Sequence, residues 1–267
     1  MDRDASGRQT ALITGASGGI GLELARAAAA DGFDVVLLAR SRERLEALGR
    51  ELRAAHGVEV RVLAADLADP RAPAEAFAEL ARGGVAVDVL VNNAGYGTWG
   101  RFVDLDLEGE LGMLQVNVVA LTHLTRLFLP EMLRRARGRV LNVASTAAFQ
   151  PGPLMAVYYA SKAFVLSFSE ALDAELAGTG VSVTALCPGP TRSGFQERAR
   201  MDGARLTGGL LAMQDTAAVA RVGWRAMRSG RRIAIPGAVN RLLAYSVRLA
   251  PRRVITAVAH RLNDRPS

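Results

Sequence analysis

The sequence predicts a single-domain α/β protein built on a doubly wound parallel sheet. Three observations carry this. Short β-branched runs alternate with longer amphipathic stretches; the short runs are near-continuously apolar; and no long linker or low-complexity segment divides the 267 residues. Strand–helix–strand repetition favours parallel strands joined by right-handed crossovers, with helices on both faces. Continuously apolar strands fit burial on both sides of the sheet.

In order, strands are expected at 11–14, 34–39, 59–64, 87–92, 139–143, 182–187 and 232–235. Helices are expected at 20–31, 42–56, 73–82, 107–135, 157–177 and 216–228. The core domain is placed at 10–237, a disordered segment at 1–9, and a basic amphipathic extension at 238–267. Residues 191–214 are less regular; Gly194, Gly203, Gly208 and Gly209 punctuate Phe195, Met201, Leu206, Leu210, Leu211 and Met213. That pattern suits a mobile lid over a substrate, or a pair of short packing helices.

Half the residues are hydrophobic and 22% are charged, which suits a packed core and argues against global disorder. The single cysteine, Cys187, has no intrachain disulfide partner, and three histidines without a Cys/His cluster give no metal motif, so no metal is expected. The N-terminus lacks the apolar region of a signal peptide, and no uninterrupted apolar run reaches the roughly 18 residues of a membrane span. A cytoplasmic location is the resulting expectation. The formal charge of +7 is concentrated late, in arginines such as Arg221, Arg225, Arg241, Arg252 and Arg253. These are not interleaved with stacking aromatics, so nucleic acid is not expected as a partner.

The first strand runs into Thr14-Gly15-Ala16-Ser17-Gly18-Gly19-Ile20-Gly21 and then a helix. Such glycines permit a tight turn and close backbone approach to a phosphate, which the free N–H groups and positive dipole end of the helix attract. The spacing is GxxxGxG rather than GxGxxG. At the end of the second strand, Ala39 stands where an acidic residue would bind a ribose 2′-hydroxyl, with Arg40 and Ser41 beside it. A guanidinium there fits a 2′-phosphate and favours NADP over NAD. The competing reading makes Arg40 and Arg42 solvated residues that open a helix.

Tyr158-Tyr159-Ala160-Ser161-Lys162 lies in a helical stretch, and residues four apart share a face. A phenol near pKa 10 is a poor base at neutral pH, but a neighbouring ammonium favours its ionised form and makes it a usable acid/base. Around this pair, and in one order, stand Thr14 to Gly21, Asp66, Asn92-Asn93-Ala94-Gly95, Asn117, Ser145 and Pro188-Gly189-Pro190-Thr191. Tyr158 lies 13 residues after Ser145, and Asn117 lies 28 before it.

This set resembles the classical short-chain dehydrogenase/reductase family over residues 10–236, and the resemblance implies a Rossmann-type fold. It also implies that Tyr158 exchanges a proton with the carbonyl or alcohol oxygen as hydride passes to or from the nicotinamide. Lys162 would lower the Tyr158 pKa and hold the nicotinamide ribose, Ser145 would polarise the substrate oxygen, and Asn117 would hold a water in a proton relay. Gly15, Ser17, Gly19, Ile20 and Gly21 would cradle the pyrophosphate, while Asp66 and Leu67 would meet the adenine. Asn93, Ala94 and Gly95 would line the adenosine ribose, and Pro188, Gly189 and Thr191 would flank the nicotinamide.

The expected activity is thus NADP(H)-dependent hydride transfer with a small-molecule carbonyl or alcohol, in a pocket built from Phe149, Leu154, Met155 and the lid. Alternatives are an NAD-dependent alcohol dehydrogenase and a non-catalytic NADPH sensor, which would not need Asn117, Ser145, Tyr158 and Lys162 together. The resemblance also implies a homodimer or homotetramer, paired through 107–135 and 157–177. The extension reads as helical with a break at Pro251; it could cover the pocket, pack on another subunit, or lie on an anionic membrane surface.

Overall fold

The structure is a computed structural model that describes residues 7–195, 199, 213–247 and 249–264. Seven strands form one parallel sheet: β1 (Thr10–Thr14), β2 (Asp34–Ala39), β3 (Val60–Ala64), β4 (Val87–Asn92), β5 (Gly138–Val143), β6 (Val181–Leu186) and β7 (Ile233–Ala234). Their spatial order is β3-β2-β1-β4-β5-β6-β7. The chain builds outward from β1 through β2 and β3, then crosses back to β4 and builds the other way. The reversal leaves a crevice beyond the carboxyl ends of β1 and β4, where ligands of open α/β sheets bind.

Alternate strand residues feed two cores. Ile13, Leu37 and Val91 pack against Leu24 and Ala28 of α1 (Gly19–Ala30), Leu45 and Leu52 of α2 (Arg42–His56), and Trp224. Leu12, Leu38 and Leu90 face the other way, onto Leu80 of α3 (Ala72–Arg82) and onto Leu124, Phe128 and Met132. Both faces of the central strands β1, β2 and β4 are therefore dry, whereas β3 at the sheet edge exposes Arg61 and Ala64. A left-handed Gly57 ends α2, and Pro73 lies in the first turn of α3, where its missing N–H breaks no helical bond.

The long helix expected at 107–135 is three segments in continuous register: α4 (Leu107–Leu114), a π-helical turn at Gln115–Ala120, and α5 (Leu121–Arg134). The wide turn falls on Asn117. By length and composition the 28-residue run Leu107–Arg134 could cross a membrane. In this fold its Met113, Asn117, Leu124, Phe128 and Met132 are instead buried.

After β5 come a short turn at Thr146–Phe149 and α6 (Ala156–Glu175); after β6 come α7 (Thr216–Arg228), β7, α8 (Ala238–Ser246) and α9 (Arg252–Asn263). The break between α8 and α9 falls at Pro251, as the sequence indicates. Of the segment expected to be disordered, residues 1–6 lie outside the described residues. Arg8 donates to the Gly57 carbonyl at 2.9 Å, and the Gln9 carbonyl accepts from the Asp34 amide at 2.9 Å. Most of the expected lid, 196–198 and 200–212, also lies outside the described residues.

Candidate active site

A cavity of about 1000 Å³ occupies the crevice. It runs from the glycine turn between β1 and α1, past Arg40 and Asp66, to Ser145, Tyr158 and Lys162, and on beneath α8 and α9.

The glycine turn is held from β4. The Asn93 amide group donates to the Thr14 carbonyl at 2.9 Å and the Gly15 carbonyl at 3.3 Å, while Thr14 Oγ1 accepts from the Asn93 and Ala94 backbone amides. Gly15 and Gly19 have φ of +67° and +57°, in the left-handed region. A Cβ on Gly15 would lie 2.7 Å from Asn93 Nδ2, and one on Gly21 would overlap both that nitrogen and the Gly15 carbonyl. Gly18 faces open space, and no side chain caps α1, so its first amides are free to receive an anion. Ile20 and Ser17 line the same mouth, and Ser193 closes over Gly19 from the β6 side.

At the end of β2, Arg40 is largely exposed and lies 3.9 Å from Asp66. Ser41 opens α2 without spending its hydroxyl on a cap. Asp66 accepts from the Ala68 amide, and Leu67 and Ala68 continue this wall. Arg44 also lines it, a cation that the sequence reading passed over because it sits inside a helix pattern.

At the other end, four elements bring the remaining polar groups together. Lys162 is buried on α6 and donates to the Val143 carbonyl at 2.8 Å; its Nζ is 5.8 Å from the centroid of the Tyr158 ring. Burial lowers the Lys162 pKa from 10.5 to about 8. Burial also raises the Tyr158 pKa well above its ordinary 10, against a smaller opposite effect of the neighbouring Ser145 hydroxyl. Desolvation sets the direction of both shifts.

Asn117 has every side-chain atom engaged. Its oxygen accepts from the Tyr96 amide at 3.1 Å, and its nitrogen donates to the Tyr96 carbonyl and to Ser161 Oγ, both at 3.0 Å. A Cβ on Gly95 would lie 2.9 Å from Asn117 Oδ1 and 3.4 Å from Lys162 Nζ, so these three residues converge. Ser145 Oγ accepts from the Ala147 amide and donates to the Pro188 carbonyl at 3.5 Å. Thr191 is buried and donates to the Gly189 carbonyl at 2.8 Å.

Two pocket residues expected from the sequence are placed elsewhere. Phe149 packs edge-on against Tyr245 of α8, and Leu154, with a φ of +66°, accepts the Gly100 amide on its carbonyl; neither lines the cavity, whereas Met155 does. Tyr159 also lines the cavity, but its hydroxyl is engaged by Asn263, donating to Oδ1 at 3.2 Å. Cys187 is buried, and desolvation pushes its thiol up to about 12. The far wall comes from the extension: Leu243, Val247, Ile255, Val258 and Leu262 line the cavity. Sequence alone left that role among three alternatives.

The residues present fit a dinucleotide: an uncapped helix end behind glycines, cations at one pole, and buried hydroxyl and ammonium groups at the other. The family model for short chain dehydrogenases matches residues 9–203. The chain belongs to this family. It is 38% identical over 184 residues to a very-long-chain 3-oxoacyl-CoA reductase of Anas platyrhynchos, a match spanning 67% of this chain and 58% of that relative. Among solved structures, a short-chain dehydrogenase from Sphingobium yanoikuyae in complex with NADPH superposes with a TM-score of 0.81 at 34% identity, covering 89% of this chain and 92% of the other. Actinorhodin polyketide ketoreductase with NADPH gives 0.76 at 30% identity, covering 88% and 97%.

Proposed function

We propose that this protein is an NADP(H)-dependent reductase of lipophilic ketones or acyl-type carbonyls, with Tyr158 as the proton donor. The observation that carries the reading is the buried Tyr158, which lines one cavity together with Ser145, Lys162 and the glycine turn.

The nicotinamide supplies the hydride. Every other task falls to this chain. The α1 amides and the glycines would hold the pyrophosphate, and Arg40 with Ser41 and Arg44 would receive the 2′-phosphate. Tyr158 stays protonated at neutral pH because burial opposes its ionisation, so it can give a proton to the carbonyl oxygen as that oxygen gains electron density. Ser145 would donate to the same oxygen, and Lys162 would hold the nicotinamide ribose. Asn117, held by Tyr96 and Ser161, fixes the floor against which Lys162 lies.

The NADPH held by two structural neighbours, and the 3-oxoacyl-CoA and polyketide ketones in the names of two relatives, support the cofactor and the substrate class. The apolar wall from α8 and α9 supports a lipophilic substrate. Phe164 and Phe168, stacked on α6, with exposed Leu111 and Val119 beside α5, support a homo-oligomer paired through these helices.

The test is NADPH oxidation with long-chain 3-oxoacyl thioesters and bulky ketones. Turnover with at least one class, lost in Tyr158→Phe, supports the reading. Tight NADPH binding with no turnover of any carbonyl would favour a nucleotide sensor instead.

A further inference from the structure

The last two helices carry a surface outside the cavity that is both cationic and apolar. Residues 216–263 contain no aspartate or glutamate. Arg241, Arg252, Arg253 and Arg261 are exposed and, among the described residues, form no ion pair. Beside them stand apolar side chains with nothing over them: Leu249 is 90% exposed, Leu242 70% and Val239 61%.

The two helices sort their residues cleanly. On α8, Asn240 and Ala244 are buried, so Val239 and Leu242 face outward. On α9, Ala259 and Asn263 are buried, while Val254, Val258 and Arg261 fall at helical spacing along one exposed stripe. Val254 and Val258 are each about half exposed and also line the cavity, so the cavity mouth opens within this face. Unneutralised guanidinium groups beside protruding leucines match a layered environment, with anionic headgroups above and acyl chains below.

We propose that α8 and α9 dock this protein on an anionic lipid bilayer. Leu242 and Leu249 enter the acyl region, the arginines meet the headgroups, and the mouth at Val254 and Val258 opens toward the membrane. A lipophilic substrate then enters from the bilayer without crossing water. The entry route rests on the reductase reading; the docking itself does not.

Flotation of the full chain with vesicles tests it. The protein should float with phosphatidylcholine vesicles containing phosphatidylglycerol and remain below with phosphatidylcholine alone. Raising the salt should release it, since each cation near an anionic surface contributes on the order of a fivefold preference that screening removes. L242S/L249S and, separately, R241E/R252E should each lower the bound fraction on the order of tenfold. Both should keep nucleotide binding and turnover of a water-soluble carbonyl. No flotation of the wild-type chain would overturn the proposal. So would a dimer in sedimentation velocity that L242S/L249S splits, because a second copy would then cover this face. Flotation without nucleotide binding would sink the reductase reading and leave the docking intact.

Discussion

The Tyr159 hydroxyl donates to Asn263 Oδ1 at 3.2 Å, joining residues 104 positions apart. Asn263 is fully buried; its side-chain nitrogen donates to the Pro153 carbonyl at 3.0 Å, and its own carbonyl accepts from Trp99 Nε1 at 2.7 Å. The end of α9 is thereby fastened beside the first turn of α6, one residue from Tyr158. The extension is a built wall of the site.

Asn263→Ala should loosen that wall. Losing its side-chain bonds and leaving partners unpaired costs about 1–3 kcal/mol, so thermal unfolding should show a Tm several degrees lower. KM for a long-chain carbonyl should rise more than KM for a small one, because only the former reaches the tail. Equal changes for both substrates would count against a wall function.

Adjacent tyrosines should behave oppositely. Tyr158→Phe should reduce kcat by roughly 10²–10⁴ with NADPH affinity nearly unchanged, since only the proton donor is removed. Tyr159→Phe should keep kcat within a few-fold and cost about 1 kcal/mol of stability through the lost Asn263 bond. Nucleotide titration, steady-state kinetics and denaturant unfolding separate the two.

Arg40→Asp should weaken NADPH on the order of tenfold or more, by removing one charge-assisted contact to the 2′-phosphate and adding repulsion. NADH, lacking that phosphate, should lose far less. Arg44→Ala should shift the ratio in the same direction by a smaller factor. A ratio unmoved by both substitutions would return the corner to ordinary solvated arginines.

Lys162 sets the pH dependence. Its proton leaves near pH 8 in the folded chain, against 10.5 for an ordinary lysine. A charged Lys162 is thus disfavoured by burial, and its contribution to stability rises with pH between those values. For catalysis the sign is opposite, because the protonated side chain is the one that holds the ribose. In the reductive direction kcat/KM should fall as pH rises through about 8. The limb should move upward in Lys162→Arg if that variant retains activity. A flat profile from pH 7 to 9 would contradict this role.

Much of the architecture could be read from the sequence because strand identity is local. The run Val35-Val36-Leu37-Leu38 has to be buried on both faces, and it is. The convergence of Asn117, Ser145, Tyr158 and Lys162 was also legible, through spacing and a family resemblance. What stayed hidden depends on tertiary placement. The wide π turn at Asn117 leaves no mark in the apolar pattern. Phe149 and Leu154 are as apolar as Met155, and only the path of the loop decides which one faces the cavity. Asn263 looks like a surface residue until its distant partners are known, and Arg44 until the cavity beside it is seen. The sign of the Tyr158 pKa shift follows from burial, which no motif encodes.

The most direct test is titration of the purified protein with NADPH and NADH, followed by nicotinamide fluorescence, and then addition of a long-chain 3-oxoacyl thioester. The account predicts saturable binding with NADPH the tighter ligand, and consumption of NADPH once the carbonyl is added. Binding of neither nucleotide, or a clear preference for NADH, would contradict it.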